Sequence, residues 1–238
     1  NYAAPACEDE RLWAAAELWR TTREEVYHRH FLKTFAAHQN SLRSNGPASW
    51  ANVAPLALWS YVLGRGGDAA ATAVIRRETL RAADDIYLRT ERNGYRVSLT
   101  PDDYVWGSNG VVANYGMQLL VADAIQADRR YVTAALENLH YLLGRNTFSL
   151  SFVTHVGANP FRHPHHRPSA TDRNKEPWPG LLSGGPNRNR QDPAMKKLGS
   201  PPPAKMYLDE EDSYASNEIA INWNAPLVFL LAGTLSER

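Results

Sequence analysis

The chain has 238 residues, 43% of them hydrophobic, and carries 26 Lys and Arg against 25 Asp and Glu. This length and apolar content can bury a sizeable core, while the formal net charge of +1 provides neither a basic stripe for nucleic acid nor an acidic tail. No apolar run reaches the roughly 18 residues of a membrane span, and a single cysteine, Cys7, excludes an internal disulfide and a multi-cysteine zinc site. We therefore expect a globular protein with an uncharged partner, and neither nucleic acid nor membrane.

The first ten residues, NYAAPACEDE, lack the basic and apolar regions of a signal peptide, so a mature or cut chain is expected. Beyond them, apolar residues recur at helical spacing and strand patterns are nearly absent. A capping box of Thr22 and Glu25 is expected to start the second helix, and Asn224 is expected to cap the last one, with Pro226 in its first turn. The other predicted helices cover residues 9–18, 50–63, 69–88, 110–127 and 130–143. The pattern predicts an all-α fold of paired antiparallel helices.

The composition changes over residues 144–213, which hold ten of the 15 prolines, six of the 15 glycines and four of the eight histidines. A long irregular stretch inside a compact domain is usually functional. Just after it, Glu218 stands among the apolar residues Ile219, Ala220, Ile221 and Trp223, where a carboxyl group is expected to be desolvated.

Two segments carry a specific pattern. The first contains Ser151, Val153, Thr154, Gly157, Asn159, Pro164, His165 and Arg167, and the second contains Tyr207, Asp209, Tyr214, Glu218, Ala220, Asn224 and Ala225. In residue types and spacing they closely resemble the two active-site signatures of glycoside hydrolase family 9, the inverting cellulases and related exo-acting glycosidases. The resemblance covers essentially the whole chain. It implies an (α/α)6 barrel of twelve helices, of which residues 1–238 would form the carboxyl-terminal half.

The resemblance also implies roles for the two acidic residues of the second signature. Glu218 corresponds to the general acid that protonates the leaving oxygen of a glycosidic bond. Asp209 corresponds to a carboxylate that supports the loop and its charge balance. From the residues alone, Glu218 could be a solvated surface group and Asp209 a turn residue with local hydrogen bonds.

His165 and Arg167 correspond to residues that hydrogen-bond sugar hydroxyls near the cleavage point, and Arg supplies a rigid fork of donors for this purpose. The cluster of His163, His165 and His166 also allows a zinc site. Pro164 splits that cluster, and neighbouring side chains project in different directions. His166 occupies a variable signature position, which favours a structural role.

Aromatic residues are expected to line the substrate cleft. Trp106, in the stretch VWGSNG, corresponds to an aromatic floor on which a glycosyl ring stacks, although a buried helix-capping Trp is an equal alternative. Tyr214 and Trp223 are the other predicted substrate-binding aromatics, and Tyr214 also has the position to orient Glu218.

No cofactor is expected to be required, but a structural calcium ion is possible. Asp9 and Glu10 match a family position where side chains at a helix start bind calcium, an ion that prefers carboxylate oxygens. The simpler alternative is compensation of the helix dipole. The chain departs from the family's usual serine and glycine there, with Pro5, Ala6 and Cys7.

Inversion requires a second carboxylate to activate water, which the family supplies from an aspartate pair far upstream. Neither Asp84 and Asp85 nor Asp102 and Asp103 resemble that pair, so the upstream half of the same catalytic domain is the expected partner. The resemblance implies a secreted or periplasmic hydrolase acting on cellulose or cello-oligosaccharides. Alternatives are an exo-acting β-glucosidase or glucosaminidase of the same family, and a non-catalytic carbohydrate-binding remnant.

Overall fold

A computed structural model of the protein describes residues 7–235, which contain α-helices, short 3-10 helices and, over this range, no β-strand. The α-helices are α1 (Glu8–Thr22), α2 (Glu25–Thr34), α3 (Ala54–Leu63), α4 (Ala69–Arg92), α5 (Ser108–Ile125), α6 (Arg129–Leu142), α7 (Arg167–Thr171), α8 (Pro193–Lys196), α9 (Tyr214–Asn217) and α10 (Ile221–Leu235). The 3-10 helices are Phe35–Ala37, Gln39–Ser41, Pro101–Asp103 and Pro203–Lys205. The predicted all-α fold is confirmed, and the seven longer α-helices are those that the sequence periodicity indicates.

Helix α1 shows how local chemistry sets a helix boundary. Its first turn holds Glu8, Asp9 and Glu10, whose charges complement the positive end of the helix dipole. It ends at Arg23, which adopts the left-handed conformation with φ 63° and donates its N–H to the Trp19 carbonyl. Residues at the two ends of α1 itself thus set where the helix begins and where it ends.

Both predicted helix caps are wrong. The residue before α2 is Glu24, which makes no side-chain cap. Helix α1 extends through Thr22, whose hydroxyl donates to the Leu18 carbonyl at 2.9 Å and accepts from the Glu24 N–H at 3.1 Å. Helix α10 begins at Ile221, so Asn224 lies inside it; its Oδ1 accepts from the Leu182 N–H at 3.0 Å. The side chains of Thr22 and Asn224 thus form hydrogen bonds other than those of the predicted caps.

The chain divides into two compact units. The first comprises residues to Tyr87 together with Gln118–Tyr131. Within it α1 packs against both α2 and α3, and its largest fully buried side chains are Leu12, Phe31, Leu58, Ile75, Ile86 and Leu119. The indole N–H of Trp59 donates to Thr79 Oγ1 at 3.2 Å, which joins α3 to α4 inside this core.

The second unit comprises Leu88–Met117 and the residues from Val132 onward. It contains the irregular segment between α6 and α10, and its largest fully buried side chains are Tyr115, Tyr141, Leu142, Phe152, Phe161 and Leu182. Isolated bridges hold the irregular segment in place, among them Val153 with Leu182, His165 with Glu218, and Ser183 with Ile219. These pairings bring the two signature segments together in one unit.

Within residues 7–235, none of the helices combines the length and the apolar character needed to cross a membrane.

Candidate active site

Glu218 follows directly after the short helix α9, where the backbone becomes extended with φ −63° and ψ 151°. Its side chain is half-buried, and Oε2 accepts a hydrogen bond from the indole N–H of Trp106 at 2.9 Å. The apolar shell expected from the sequence is only partly present, since Ile221 is 90% exposed. The main neighbour of this carboxylate is a polar donor on a distant aromatic residue.

The backbone around Glu218 is held from two sides. The Glu218 carbonyl accepts from the Gly184 N–H at 2.9 Å, and the Asn217 carbonyl accepts from the His165 N–H at 2.9 Å. Asn217 is fully buried, and its side chain accepts from the Tyr207 hydroxyl at 2.7 Å and donates to the His163 carbonyl. Both signature segments therefore fix the position from which Glu218 projects.

The imidazole of His165 is oriented by the backbone of the acidic stretch. Its Nδ1 lies 2.9 Å from the Glu211 carbonyl oxygen, so Nδ1 carries a proton. In the neutral ring, Nε2 is then an acceptor, and in the charged ring it is a second donor. The contact with Glu211 uses only Nδ1. Nε2 of this half-buried ring can therefore form a hydrogen bond with a hydroxyl group, whether the ring is neutral or charged.

Asp209 binds the backbone of the histidine-rich loop, the stretch of chain that carries His163, His165 and His166. Its two carboxylate oxygens accept from the N–H groups of Arg162 and His163, each at 2.8 Å. The His163 Nδ1 lies 3.6 Å from Asp209 Oδ1. These contacts hold the loop backbone, and the role that the sequence resemblance implies for Asp209 stays a prediction.

Tyr214 lies between two other predicted substrate-binding residues. Its ring centroid is 5.9 Å from that of Trp106 and 5.7 Å from that of His165. Trp106 is 36% exposed, so it is not the buried capping residue that the sequence also allowed. The structure thus brings Trp106, His165, Tyr214 and Glu218 into one cluster.

Arg167 is exposed at the first position of α7, and its guanidinium makes no hydrogen bond to the described part of the chain. The preceding residue, His166, is the N-cap of α7 and lies 2.8 Å from Ser169 Oγ through Nδ1. Burial lowers the pKa of His166 below its ordinary value. His166 therefore has the structural role expected from its variable position, while Arg167 remains available to a ligand.

The three imidazoles of the histidine-rich loop turn to different partners. His163 faces Asp209, His165 faces the Glu211 carbonyl, and His166 faces Ser169. Among residues 7–235, no three His, Cys, Asp or Glu side chains are grouped as metal ligands. The zinc interpretation of this loop has no support in the geometry.

Trp223 packs behind the cluster against glycine backbones. A Cβ atom added at Gly110 would lie 2.4 Å from its indole, and one added at Gly107, where φ is +85°, would lie 2.6 Å away. Contacts this close require glycine at both positions. Trp223 thus packs against the turn that carries Trp106, and its predicted stacking on a sugar stays a prediction.

Asp9 and Glu10 lie in the first turn of α1, in the first unit. Asp9 Oδ2 accepts from the Val53 N–H at 2.8 Å, and Asn52 Oδ1 accepts from the Ala54 N–H at 3.2 Å. Calcium takes about six to eight oxygen ligands, whereas residues 7–235 gather no third acidic ligand around this pair. The calcium site at Asp9 and Glu10 therefore stays a prediction, beside the simpler interpretation that both carboxylates compensate the helix dipole.

The four aspartates considered as a second catalytic carboxylate are engaged in local contacts. Asp84 accepts from the Tyr131 hydroxyl at 2.9 Å, and Asp85 lies 3.4 Å from Ser44 Oγ. Asp102 forms an ion pair with Arg188, and Asp103 Oδ2 accepts a hydrogen bond from the Thr100 N–H at 2.7 Å. Their partners explain these side chains without a catalytic role.

Sequence reasoning missed Asp192, a fully buried carboxylate. It caps α8 by accepting from the Met195 N–H at 2.7 Å and also accepts from the Ala215 N–H, in α9, at 2.8 Å. The dipeptide Asp192-Pro193, a capping residue followed by proline at the first helical position, indicates the first contact. No local pattern indicates the second contact, which links Asp192 to α9, the helix directly before Glu218.

Comparison with known proteins gives a consistent result over nearly the full chain. A family model described as "Glycosyl hydrolase family 9" matches residues 1–231. Endoglucanase D of Acetivibrio thermocellus is 41% identical over 235 residues, which is 98% of this chain and 35% of that protein. A cellodextrinase of Butyrivibrio fibrisolvens is 36% identical over 94% of this chain and 43% of its own length.

Among solved structures, the crystal structure of the family 9 endoglucanase J30 superposes with a TM-score of 0.91 and 36% identity. The match covers 100% of this chain and 44% of that one. The chain therefore spans between about a third and a half of the length of the proteins it matches. The helical architecture is that of part of the (α/α)6 barrel found in those structures.

Proposed function

The chain belongs to glycosyl hydrolase family 9, and from that premise we propose that the protein hydrolyses β-1,4-glycosidic bonds in cellulose or cello-oligosaccharides with inversion. The observation that carries this proposal is the cluster of Glu218, Trp106, Tyr214 and His165 in one unit. A carboxyl group beside exposed aromatic faces and free hydrogen-bonding nitrogens is suited to bind a sugar ring and to protonate its leaving oxygen.

Glu218 acts as the general acid. Its proton passes to the glycosidic oxygen as the bond to the anomeric carbon breaks, and the electron pair of that bond stays on the leaving oxygen. Asp209 keeps the histidine-rich loop in place through its two backbone contacts, so its role is to position other groups. The Arg167 guanidinium donates hydrogen bonds to sugar hydroxyls. His165 Nε2 donates to a hydroxyl when the ring is charged and accepts from one when the ring is neutral.

The general base comes from the upstream half of the same catalytic domain. In inverting enzymes the second carboxyl group stands roughly 6.5–9.5 Å from the acid, with room for the attacking water. The exposed apolar side chains of α10 support a partner of this kind: Ile221 is 90% exposed, Val228 65% and Leu235 78%. Apolar surface concentrated on one helix is typical of a face that another segment covers.

Hydrolysis by two carboxyl groups requires no cofactor, so the chemistry proposed here runs without a bound metal. A structural calcium ion at Asp9 and Glu10 is not part of the proposal.

Exo-action is the second candidate, because the sequence resemblance also covers exo-acting members of the family and one relative is named for action on short cellodextrins. An endo-acting enzyme shortens long chains early in the reaction, whereas an exo-acting enzyme releases small sugars while the polymer stays long. The ratio of soluble to insoluble reducing ends on cellulose separates the two modes.

The proposal is tested with Glu218→Gln in the full-length protein that contains this chain. Gln has nearly the same shape but carries no acidic proton, so binding of cello-oligosaccharides should persist while turnover falls by roughly 10²- to 10⁴-fold. The matched control is Glu176→Gln, at an exposed glutamate of the same irregular segment, which should leave turnover unchanged. A Glu218→Gln enzyme with a near-normal rate on an unactivated oligosaccharide would remove Glu218 from the role of acid.

A further inference from the structure

We propose that Trp106 is a positioning residue for the reaction, which acts through its indole N–H on the Glu218 carboxyl group, in addition to any contact of its ring with sugar. The inference rests on the proposed function, because it assigns Trp106 a task only if Glu218 is the acid. The observation behind it is the hydrogen bond of 2.9 Å from Trp106 Nε1 to Glu218 Oε2.

The indole N–H can only donate, so it requires a lone pair on the oxygen it meets. In a protonated carboxyl group the carbonyl oxygen is the better acceptor. Contact with Oε2 therefore favours the tautomer in which the proton sits on Oε1. Trp106 selects the oxygen that delivers the proton.

The same contact becomes stronger as the reaction proceeds. When the Oε1 proton passes to the glycosidic oxygen, Glu218 becomes a carboxylate, and the Trp106 N–H now donates to a charged acceptor. Hydrogen bonds to charged groups are roughly twice as strong as those between neutral groups. An interaction that gains strength between the bound substrate and the transition state accelerates the chemical step without tightening substrate binding.

The short segment of residues 184–186 holds both the backbone next to Trp106, the donor, and the backbone of Glu218, the acceptor. On the donor side, the Ser108 hydroxyl donates to the Pro186 carbonyl at 2.7 Å, and the Asn109 N–H donates to the Gly184 carbonyl at 2.9 Å. On the acceptor side, the Gly184 N–H donates to the Glu218 carbonyl at 2.9 Å. Because Gly184 bonds to both sides, the separation of Trp106 and Glu218 is set before substrate arrives.

The test uses Trp106→Phe in the full-length protein, since phenylalanine keeps an aromatic face but has no N–H. Rates are measured on cellotetraose and on a dinitrophenyl cellobioside, whose leaving group needs no proton. On cellotetraose we expect kcat to fall by about fivefold to tenfold, because the variant loses the extra strength that the hydrogen bond gains when its acceptor becomes charged, with KM within about twofold. On the dinitrophenyl substrate kcat should stay within about twofold of the parent.

Trp178→Phe is the matched control. Trp178 is also exposed, and its indole N–H donates to the Asp172 carboxylate at 2.5 Å, but that carboxylate has no part in the proposed chemistry. This variant should behave like the parent on both substrates. The activity of Trp106→Phe on the dinitrophenyl substrate also shows that the variant is folded.

Four outcomes would contradict the inference or the function on which it rests. Equal losses on both substrates, or a rise in KM alone, would assign Trp106 to folding or to ring stacking and overturn the positioning role. Trp106→Phe should also cause no further loss on cellotetraose when Glu218 is already Gln, and an independent loss in that background would contradict the inference. If Glu218→Gln itself is active on cellotetraose, the proposed function fails instead.

Discussion

Replacing Asp192 by alanine tests how the acid-bearing loop is supported. The Asp192 side chain is fully buried and accepts two backbone N–H groups, from Met195 at 2.7 Å and from Ala215 at 2.8 Å. Alanine leaves both donors without an acceptor in a buried site. An unsatisfied buried donor costs about 1–3 kcal/mol, so two of them place the expected loss of unfolding free energy at about 2–6 kcal/mol.

Asparagine at the same position refines the prediction. Its side-chain oxygen can accept one of the two N–H groups, while its amide group faces the other. Asp192→Asn should therefore lose less unfolding free energy than Asp192→Ala. Ala215 lies in α9, and this helix directly precedes Glu218. Both variants should therefore also lose turnover on cello-oligosaccharides.

The measurement is urea-induced unfolding of the full-length protein, followed by tryptophan fluorescence, beside kcat on an oligosaccharide. The control is Asp102→Ala, because the Asp102 side chain is 86% exposed and pairs with Arg188 at the surface. An exposed ion pair contributes at most about 1 kcal/mol. A loss for Asp192→Ala no larger than that of the control would refute the reasoning from buried donors.

Two further predictions concern the histidine-rich loop. His165→Ala and Arg167→Ala should each lower kcat/KM on cellotriose by about fivefold or more, as each removes hydrogen bonds to sugar hydroxyls; a change under about twofold would exclude direct contact with the substrate. Burial lowers the pKa of His166 from its ordinary 6.5, so below about pH 6.5 the unfolded chain binds a proton more readily than the folded one. The contribution of His166 to unfolding free energy should thus be complete above about pH 6.5 and be lost as the pH falls, and His166→Asn should reduce the difference between urea unfolding at about pH 7.5 and about pH 5.5. An unchanged difference would contradict the burial argument.

The sequence by itself determined the helices and the signature positions. Helices such as α4 and α6 depend on the spacing of apolar residues along one stretch of chain, so periodicity is enough to find them. Their ends are less local. Thr22 and Asn224 have the chemistry of caps, yet Thr22 closes the preceding helix and Asn224 binds Leu182, 42 positions away.

The pairing of functional side chains was decided only by the tertiary structure. Trp106 and Glu218 are separated by 112 positions, and no periodicity relates them. Asp192 reaches Ala215 across 23 positions, and Trp223 packs on Gly107 and Gly110 from another helix. A residue type fixes which hydrogen bonds and contacts are possible, but only the packed chain fixes which partner comes within reach.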